Sequence, residues 1–501
     1  MSETQNRCLA KDFRARVQED PEQVAIIAGD LNLSRVKLLT LAENYAVRFQ
    51  AAGVHQGDIV SVISQDAIVL LASIFALSMV GAVFIPFDAS LVERKDLQSR
   101  HFFRSVDTPP IPHISDHVID ASWSPKAGSR LSDGTIPYAR LDGSDQAWLM
   151  PSSGTTGHPK FISLNNSLLM DRLEAISEDF AGSRVRVMLH FPPNSRAYCI
   201  RAVALLLHGH VLVEGTSSTL AETSKVDLIC ASPQQIRPWL RGVPASLKIP
   251  VLQLSGSRVT DEMLSSLFST FEVVEDVYGS NETIKAHINT YKLSGNDVCR
   301  GTRECASIVQ IVDEAGSPVP LGQEGQIRIK NKYMADGYLN EPKKTQHHFR
   351  SGWFYPGDLG YFTNDKLLRV TGRLGEIINV GGQKVALSDI EAFFEGIAGV
   401  DVACCFRNPE AGAEAEIAAC LACANTSVMI DQVESAWLSC VRTLGPSVAP
   451  SLVLLVPKLK VTADGVPDRM SAQRTFNETI AHADENDLKK RLFRFRVEYD
   501  S

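Results

Sequence analysis

The 501-residue sequence predicts an α/β protein with a large unit of parallel sheets and helices, followed by a smaller α+β unit. Three observations predict this class. Through the first 280 residues, apolar strand-like runs alternate with leucine- and alanine-rich helical runs, which is typical of parallel sheets covered by helices. From about residue 300 the strands become short and turn-rich. A compact final segment is rich in small apolar residues, so we expect a large domain over 1–372 and a small one over 373–501.

The individual elements follow from local patterns. Strands are predicted at 58–64, 82–87, 185–190, 226–230 and 273–277, and helices at 38–49, 67–80 and 200–208. Residues 67–87 carry no charge and are long enough to suggest a membrane span, but Gly81 divides them into a buried helix and a buried strand. Residues 307–312 and 326–330 predict a hairpin, and the charged segment 484–496 predicts a solvated helix.

Composition and charge argue against some classes of main binding partner and indicate in which cellular compartment the protein is expected. A hydrophobic content of 44% and a charged content of 22% are ordinary for a globular protein, and a net charge of −8 argues against nucleic acid or anionic membrane as the main partner. The N-terminus lacks the basic and apolar regions of a signal peptide, and ten cysteines show no framework spacing, so we expect a cytoplasmic protein. Cys404, Cys405, Cys420, Cys423 and Cys440 are interpreted as buried thiols rather than zinc ligands.

A loop rich in glycines and hydroxyls spans residues 151–160, with the sequence Pro-Ser-Ser-Gly-Thr-Thr-Gly-His-Pro-Lys. Glycines allow backbone N–H groups to approach phosphate oxygens, and the hydroxyls and the ammonium add donors. The spacing is not that of the Walker loop. It resembles the phosphate loop of the adenylate-forming superfamily, which includes acyl- and aryl-CoA synthetases, luciferases and peptide-synthetase adenylation domains. The resemblance implies a role in ATP binding for Ser152, Ser153, Gly154, Thr155, Thr156, Gly157 and Lys160, with Thr155 and Lys160 also catalytic.

Two further motifs occur in the order that this superfamily requires. Residues 278–282, Tyr-Gly-Ser-Asn-Glu, resemble its Y-G-x-T-E motif, with Asn281 in place of threonine. The resemblance implies that Tyr278 stacks on adenine, that Gly279 borders the nucleotide and the acyl group, and that Glu282 ligates Mg²⁺. Residues 352–360 resemble G-W-[FY]-x-T-G-D-x-G, which implies that Asp358 accepts hydrogen bonds from the ribose. Gly256 is expected beside the adenine.

A fourth motif, over residues 372–385, resembles the segment that joins the large and small domains in this superfamily. It implies that Arg373 reaches the ribose or a phosphate. Gly375 occupies the hinge position, where a glycine is compatible with large backbone rotations. Gly381, Gly382 and Lys384 are expected to serve entry of the thiol in the second half of the reaction.

The last motif departs from the superfamily pattern. Residues 462–469, Thr-Ala-Asp-Gly-Val-Pro-Asp-Arg, match T-x-x-G-K-x-x-R without a gap, so Val466 occupies the position of the catalytic lysine. The resemblance implies that this lysine stabilises the negative charge that develops when a carboxylate attacks the α-phosphate. Valine supplies none of that stabilisation. Lys458, Lys460 and Arg469 are the alternative cations, although their spacing from Gly465 differs.

The acyl pocket is expected along residues 190–198, with Asn194, Ser195, Arg196 and Tyr198 as lining residues. This region carries no aspartate of the kind that amino-acid-activating relatives use to pair the α-ammonium, so an α-amino acid substrate is not expected. Arg196 has two interpretations: it pairs a second carboxylate or a phosphate of the substrate, or it is satisfied by a nearby acidic side chain.

The resemblance implies an ATP- and Mg²⁺-dependent ligase that activates a small carboxylic acid and passes the acyl group to CoA or to a phosphopantetheinyl carrier protein. No carrier domain is evident, so we expect any carrier to be a separate chain. Two alternatives remain open at this point. The chain performs only thiol transfer from a preformed acyl adenylate, or it is a non-catalytic nucleotide-binding subunit of a biosynthetic assembly. The feature that discriminates among the three is Val466.

Overall fold

The structure is a computed structural model that describes residues 7–86, 99–110, 116–124, 138–152, 160–180, 184–257, 259–295, 297–380, 383–397, 399–408, 416–423, 430–461, 467–482, 488 and 491–495. The helices in this part of the chain are α1 (Leu9–Glu19), α2 (Arg35–Ala51), α3 (Ala67–Val80), α4 (Asn166–Ser177), α5 (Arg196–Leu207), α6 (Ser218–Thr223), α7 (Pro233–Leu240), α8 (Asp261–Leu267), α9 (Pro342–His348), α10 (Leu387–Glu395), α11 (Ile430–Leu444) and α12 (Arg469–His482).

The strands of the large unit are β1 (Val24–Ala28), β2 (Leu31–Ser34), β3 (Ile59–Ile63), β4 (Val83–Pro86), β5 (Ser99–Ser105), β6 (His117–Ile119), β7 (Gln146–Ser152), β8 (Lys160–Asn165), β9 (Arg186–Leu189), β10 (Val211–Glu214), β11 (Leu228–Ala231), β12 (Ile249–Ser255), β13 (Phe271–Ser280), β14 (Ile284–Ser294), β15 (Asp297–Arg303), β16 (Ser307–Val312), β17 (Gly325–Asn331), β18 (Phe349–Arg350), β19 (Trp353–Phe354), β20 (Asp358–Phe362) and β21 (Leu368–Arg373). Those beyond residue 376 are β22 (Ile377–Val380), β23 (Gln383–Ala386), β24 (Val400–Asn408), β25 (Glu416–Cys423), β26 (Leu452–Val456) and β27 (Leu492–Arg494).

Two largely parallel sheets form the large unit. The first has the order β15-β14-β13-β12-β11-β9-β10-β1-β2, and its six strands from β13 to β1 run parallel. The second has the order β6-β5-β3-β4-β7-β8, with only β7 and β8 antiparallel. Helices α1 to α5 and strands from both sheets contribute to one hydrophobic core. The predicted α/β class is confirmed.

Helix α3 shows how the sequence sets this core. It spans Ala67–Val80 as predicted, and most of its side chains are buried. The Asp66 side chain accepts hydrogen bonds from the backbone N–H groups of Ile68 and Val69, and the helix ends at Gly81, whose φ of 80° favours glycine. None of the helices in the described ranges combines the length and apolarity that crossing a membrane requires.

The turn-rich region forms a third sheet with the order β18-β19-β17-β20-β21, in which β16 pairs with β17. The predicted hairpin is confirmed, because β16 and β17 are antiparallel with Ser307 opposite Asn331. The sheet places Asp358 at the start of β20 opposite Arg373 at the end of β21.

The final segment builds its own core around a four-stranded sheet, β24-β25-β26-β27. Helices α10 and α11 contribute to the core on one face of this sheet and α12 to the core on the other. All ten cysteines are free thiols, and those of this sheet are buried. The predicted solvated helix over 484–496 is wrong at its C-terminal end. Residues 492–494 form β27, which pairs with β26. Burial of the Phe493 side chain stabilises this strand more than solvation of the neighbouring charges would stabilise a helix.

Ion pairs between described residues join this final segment to the large unit. Arg237 on α7 contacts Glu395 at the end of α10 at 3.0 Å, and Arg241 contacts Asp401 on β24 at 3.5 Å. Burial raises the pKa of the Glu395 carboxyl, and the neighbouring Arg237 guanidinium opposes that shift.

Candidate functional site

The predicted phosphate loop connects two paired strands. β7 ends at Ser152 and β8 begins at Lys160, and these two residues are opposite each other in the antiparallel ladder. Both are buried. The predicted residues Ser153, Gly154, Thr155, Thr156 and Gly157 lie outside the described residues, so the structure fixes the two ends of the loop.

Lys160 lies in a cluster of polar side chains from three other segments. Its Nζ is 3.0 Å from Nε2 of His348 and 4.7 Å from the centre of the Tyr338 ring. The Tyr338 hydroxyl donates a hydrogen bond of 2.8 Å to Oε1 of Glu282. Burial lowers the pKa of the Lys160 ammonium, while the Glu282 carboxylate opposes that shift. A cation and a carboxylate therefore lie together beside the end of the loop.

The carboxylate of Glu282 fits the role of a Mg²⁺ ligand. It is only 6% exposed, and the hydrogen bond from Tyr338 occupies its Oε1. Mg²⁺ in nucleotide sites is held by one or two carboxylates together with phosphate oxygens and water, so a single buried carboxylate near a phosphate loop is a suitable donor. Nowhere in the described ranges do three His, Cys, Asp or Glu side chains group in a way that would hold a metal by themselves.

A hydrogen-bonded triad joins three of the predicted nucleotide-binding residues. The Tyr278 hydroxyl donates to Oδ2 of Asp358 at 2.7 Å, and Nε of Arg373 donates to Oδ1 of the same carboxylate at 2.9 Å. The Asp358 carboxylate raises the pKa of the Arg373 guanidinium, and burial, together with Asp358, raises that of the Tyr278 hydroxyl. Tyr278 and Arg373 therefore donate to one buried carboxylate, although they lie 80 and 15 residues away from Asp358 in the sequence.

Backbone contacts hold the segment that carries Glu282. Arg172 is fully buried and donates hydrogen bonds to the carbonyl oxygens of Tyr333, Asn281 and Glu282 at 2.7 to 2.9 Å. Burial lowers the pKa of its guanidinium to about 10, and Glu282 opposes the shift. Gly279 is required here, because a side chain would place its Cβ 2.1 Å from the carbonyl oxygen of Ile284. Gly256 directly follows β12. The carboxyl ends of β12 and β13 lie side by side, so Gly256 is at the edge of the first sheet where β13 ends.

Two side chains tie the start of the phosphate loop to the rest of the site. Nδ2 of Asn281 donates to the Pro151 carbonyl oxygen at 3.0 Å, and the buried Arg196 donates to the same oxygen. The sequence predicts a substrate anion or an acidic side chain as the partner of Arg196. The structure adds a backbone carbonyl, which neither interpretation includes.

The other predicted pocket residues make local structural contacts. Oδ1 of Asn194 accepts a hydrogen bond from the Ser64 backbone at 3.1 Å, and Ser195 caps α5 through the N–H of Tyr198. Tyr198 is fully buried and its hydroxyl contacts Glu214 at 2.5 Å. Their role in lining the acyl pocket stays a prediction. A cavity of about 410 Å³ lies near this region, lined by His190, Thr216, Gln235, Pro238 and Trp239.

The residues predicted to serve the second half-reaction are only partly described. Gly375 lies in an exposed turn between β21 and β22, and the backbone of Lys384 lies in β23. Gly381, Gly382 and Val466 lie outside the described residues. A backbone bridge between Val461 and Pro467 closes the base of the segment that contains Val466.

The three alternative cations differ in their environment. Arg469 donates to both carboxylate oxygens of Glu391, to Oε2 of Glu376 at 3.1 Å and to the Cys405 carbonyl oxygen at 2.7 Å. Burial by itself lowers the pKa of Arg469, but the two carboxylates outweigh it and raise that pKa. Lys460 is exposed and lies 3.7 Å from Asp468, and Lys458 is exposed. Arg469 therefore links Glu376, Glu391 and the backbone of β24 within the final segment, and its guanidinium is already engaged by these partners.

Sequence reasoning missed three residues of the site: Arg172, Tyr338 and His348. Each acts across a large separation, since Arg172 binds carbonyls up to 161 residues away and His348 contacts Lys160 over 188 residues. None belongs to a motif identified in the sequence, and no local pattern distinguishes them from surface or core residues.

Comparisons with known proteins identify the family and the fold. A family model described as AMP-binding enzyme matches residues 13–339. The chain is 22% identical to the PKS-NRPS hybrid synthetase acdB of Aspergillus candidus over 95% of this chain, and it spans 20% of the length of that protein. It is 24% identical to a feruloyl-CoA synthase of an Amycolatopsis species, over 79% of this chain and 84% of that protein.

A solved structure shares the fold. O-succinylbenzoate coenzyme A synthetase from Bacillus subtilis, solved in complex with AMP, is 19% identical with a TM-score of 0.76, covering 92% of this chain and 97% of that chain. The same enzyme has been solved with ATP and magnesium ion, with a TM-score of 0.74. The match of the family model to well over half of the sequence, together with this fold, gives the assignment: the chain belongs to the AMP-binding enzyme family.

Proposed function

We propose that this chain is an ATP- and Mg²⁺-dependent acid–thiol ligase that forms an acyl adenylate and transfers the acyl group to a thiol. The observation that carries the proposal is the convergence of Lys160 and Glu282 beside the ends of the phosphate loop, close to Tyr338. The Tyr278, Asp358 and Arg373 triad supplies a second polar site of the kind that a ribose requires. The proposal includes a cytoplasmic location, which stays a prediction.

The proposed chemistry has two steps. A carboxylate oxygen of the acid attacks the α-phosphorus of ATP, and the bond to pyrophosphate breaks. The sulfur of a thiol then attacks the acyl carbon, AMP leaves as the adenylate bond breaks, and the thiol proton is released. In the first step Lys160 neutralises phosphate charge, while Arg373 and Asp358 orient the ribose.

Glu282 would hold Mg²⁺ in this site. The bound ion would neutralise charge on the triphosphate. The contribution of the chain is to keep the Glu282 carboxylate buried and oriented, through the Tyr338 hydroxyl at its side chain and Arg172 at its backbone.

Val466 sets the expected speed of the first step. The position lacks the cation that would stabilise charge on the carboxylate and α-phosphate, and Arg469 is engaged by Glu376 and Glu391. We therefore propose slow adenylation. The second candidate function, thiol transfer from a preformed acyl adenylate, is favoured by the same valine, because that step does not use the missing lysine.

The acceptor is proposed to be CoA or a phosphopantetheinyl carrier protein. The relative named as a feruloyl-CoA synthase supports CoA as the acceptor, and the relative named as a PKS-NRPS hybrid synthetase is the basis for proposing a carrier protein. The substrate is proposed to be a small carboxylic acid other than an α-amino acid. The non-catalytic subunit alternative receives less support, because Lys160 and Glu282 both contact Tyr338 and Asp358 is paired with Arg373.

We also propose that residues 373–501 rotate as a small domain about a hinge near 373–375. Arg237 and Glu395 then form a contact that stabilises the observed arrangement. The change Arg237→Glu sets two carboxylates against each other, which costs several kcal/mol, so small-angle scattering should show a larger radius of gyration. Adding Glu395→Arg restores the opposite charges and should return the native value. A radius that Arg237→Glu leaves unchanged would contradict the proposed contact.

The ribose role of Asp358 gives a specific prediction. Asp358→Asn removes the charge that pairs Arg373 and should weaken ATP binding by about tenfold or more, since hydrogen bonds to charged groups contribute about 1.5–3 kcal/mol. Isothermal titration with MgATP measures the effect. Asp365→Asn, on an exposed turn of the same sheet, is the matched control and should bind ATP normally. Equal affinities for the two variants would contradict the assignment.

The function is tested by carboxylate-dependent exchange of pyrophosphate into ATP over a panel of aryl, fatty and dicarboxylic acids. The proposal predicts slow exchange that depends on one class of acid and is lost in Lys160→Met and Glu282→Gln. Absence of exchange, combined with thioester formation from a supplied acyl adenylate, would favour the second candidate function. If the chain showed neither pyrophosphate exchange nor thioester formation, both candidate functions would be contradicted.

A further inference from the structure

The imidazole of His348 is oriented by two hydrogen bonds. Its Nδ1 lies 2.8 Å from the carbonyl oxygen of Tyr355, and its Nε2 lies 3.0 Å from Nζ of Lys160. A carbonyl oxygen only accepts, so Nδ1 carries the proton of the neutral ring and Nε2 presents its lone pair. The ammonium of Lys160 therefore donates to Nε2, and His348 is an acceptor that the backbone holds in one orientation.

Tyr338 contacts both the Lys160 ammonium and the Glu282 carboxylate. Nζ lies over the face of Tyr338, which favours a cation, and the Tyr338 hydroxyl is bound to Glu282. An ammonium has three N–H donors. Among the described residues, one of these donors is directed at His348. Because Lys160 begins β8 at the end of the predicted phosphate loop, we assign the other donors to a phosphate ligand.

We propose that His348 is a positioning residue of the nucleotide site, whose neutral imidazole holds the Lys160 ammonium beside Glu282 with two N–H groups directed to the phosphate oxygens of ATP. This inference rests on the proposed function. A flexible lysine loses rotamer freedom when it binds a phosphate, and a preset orientation reduces that loss. His348 acts through Lys160 and makes no contact with the phosphates itself.

The surroundings keep the imidazole neutral. Burial lowers the pKa of His348, and the charges of Lys160 and His347 lower it further, while the Tyr355 carbonyl and Glu282 oppose them. Beside the Lys160 ammonium, a protonated ring would place two cations 3.0 Å apart, so this contact disfavours the protonated ring.

The test is a double-mutant cycle on binding of MgATP, read by isothermal titration with the full chain. His348→Ala should weaken binding about tenfold, the equivalent of one hydrogen bond to a charged group. His348→Gln keeps an acceptor oxygen and should stay within about threefold of the native affinity. In the Lys160→Met background, His348→Ala should have no further effect, because the group it positions is absent.

Adenosine is the control ligand, since it lacks phosphates. Its affinity should be the same in the native chain and in every variant, which a general loss of structure at α9 would not allow. Native ATP binding by His348→Ala, additive effects in the cycle, or weakened adenosine binding would each overturn the inference. If the native chain binds no MgATP, the proposed function fails together with it; if the native chain binds and the cycle is additive, only the role of His348 fails.

Discussion

Replacing Val466 by lysine is expected to raise the rate of carboxylate-dependent ATP–pyrophosphate exchange by about 10²–10³-fold. One preorganised cation at a developing negative charge contributes on this scale, and valine contributes nothing there. The substitution restores the family pattern T-x-x-G-K-x-x-R over residues 462–469. The expected gain is in kcat for exchange, because the residues proposed to bind ATP are unchanged.

The control places the same charge at a neighbouring position. Val461 is 39% exposed and belongs to the bridge at the base of the segment, so Val461→Lys adds the same charge to this segment without occupying position 466. It should leave the exchange rate within about twofold of native, as surface substitutions do. An equal gain from both variants would mean that net charge rather than position matters. No gain from Val466→Lys would contradict the assignment of this position.

Substitution of Arg469 by methionine is expected to lower the free energy of unfolding by on the order of 3 kcal/mol. The guanidinium is the shared partner of Glu391 and Glu376 and also binds the Cys405 carbonyl, and Glu391 is buried. Removing one member of a buried ion pair leaves uncompensated charge, which costs more than the pair itself contributes. Denaturant unfolding, monitored through Trp437 in the core of the small unit, measures the loss.

Two variants make the Arg469 prediction specific. Lys460→Met breaks an exposed pair with Asp468 and should change stability by less than about 1 kcal/mol. Arg469→Met combined with Glu391→Gln removes the buried charge while keeping an acceptor for the Cys405 N–H, so it should recover part of the loss. If Arg469→Met were as stable as the native chain and lost exchange instead, Arg469 would be the replacement cation.

Local pattern was sufficient for much of the fold. The limits of α3 follow from an uncharged run between Asp66 and Gly81, and the hairpin of β16 and β17 follows from two apolar runs around a turn. The resemblance to the adenylate-forming superfamily assigns Tyr278, Asp358 and Arg373 to one nucleotide, and in the structure their side chains form one hydrogen-bonded triad.

Contacts between distant segments could not be read from the sequence. His348 lies at the end of α9 and Tyr338 in the segment before it, and that segment lies beside β8, where the N–H of Leu339 donates to the carbonyl oxygen of Phe161. Arg172 binds carbonyl oxygens, which leave no signature in a sequence. The strand β27 also depends on a distant segment. Its charged sequence predicts a solvated helix, and it forms a strand because it pairs with β26.

The central claim is that the chain converts ATP and a carboxylic acid to an acyl adenylate. Mass spectrometry of the nucleotide products, formed by the native chain with MgATP and the acid panel over several hours, tests it most directly. The account predicts pyrophosphate together with the adenylate of one class of acid, in amounts that Val466→Lys increases and Lys160→Met abolishes. Conversion of ATP to ADP and phosphate, or no conversion in either the native chain or Val466→Lys, would contradict it.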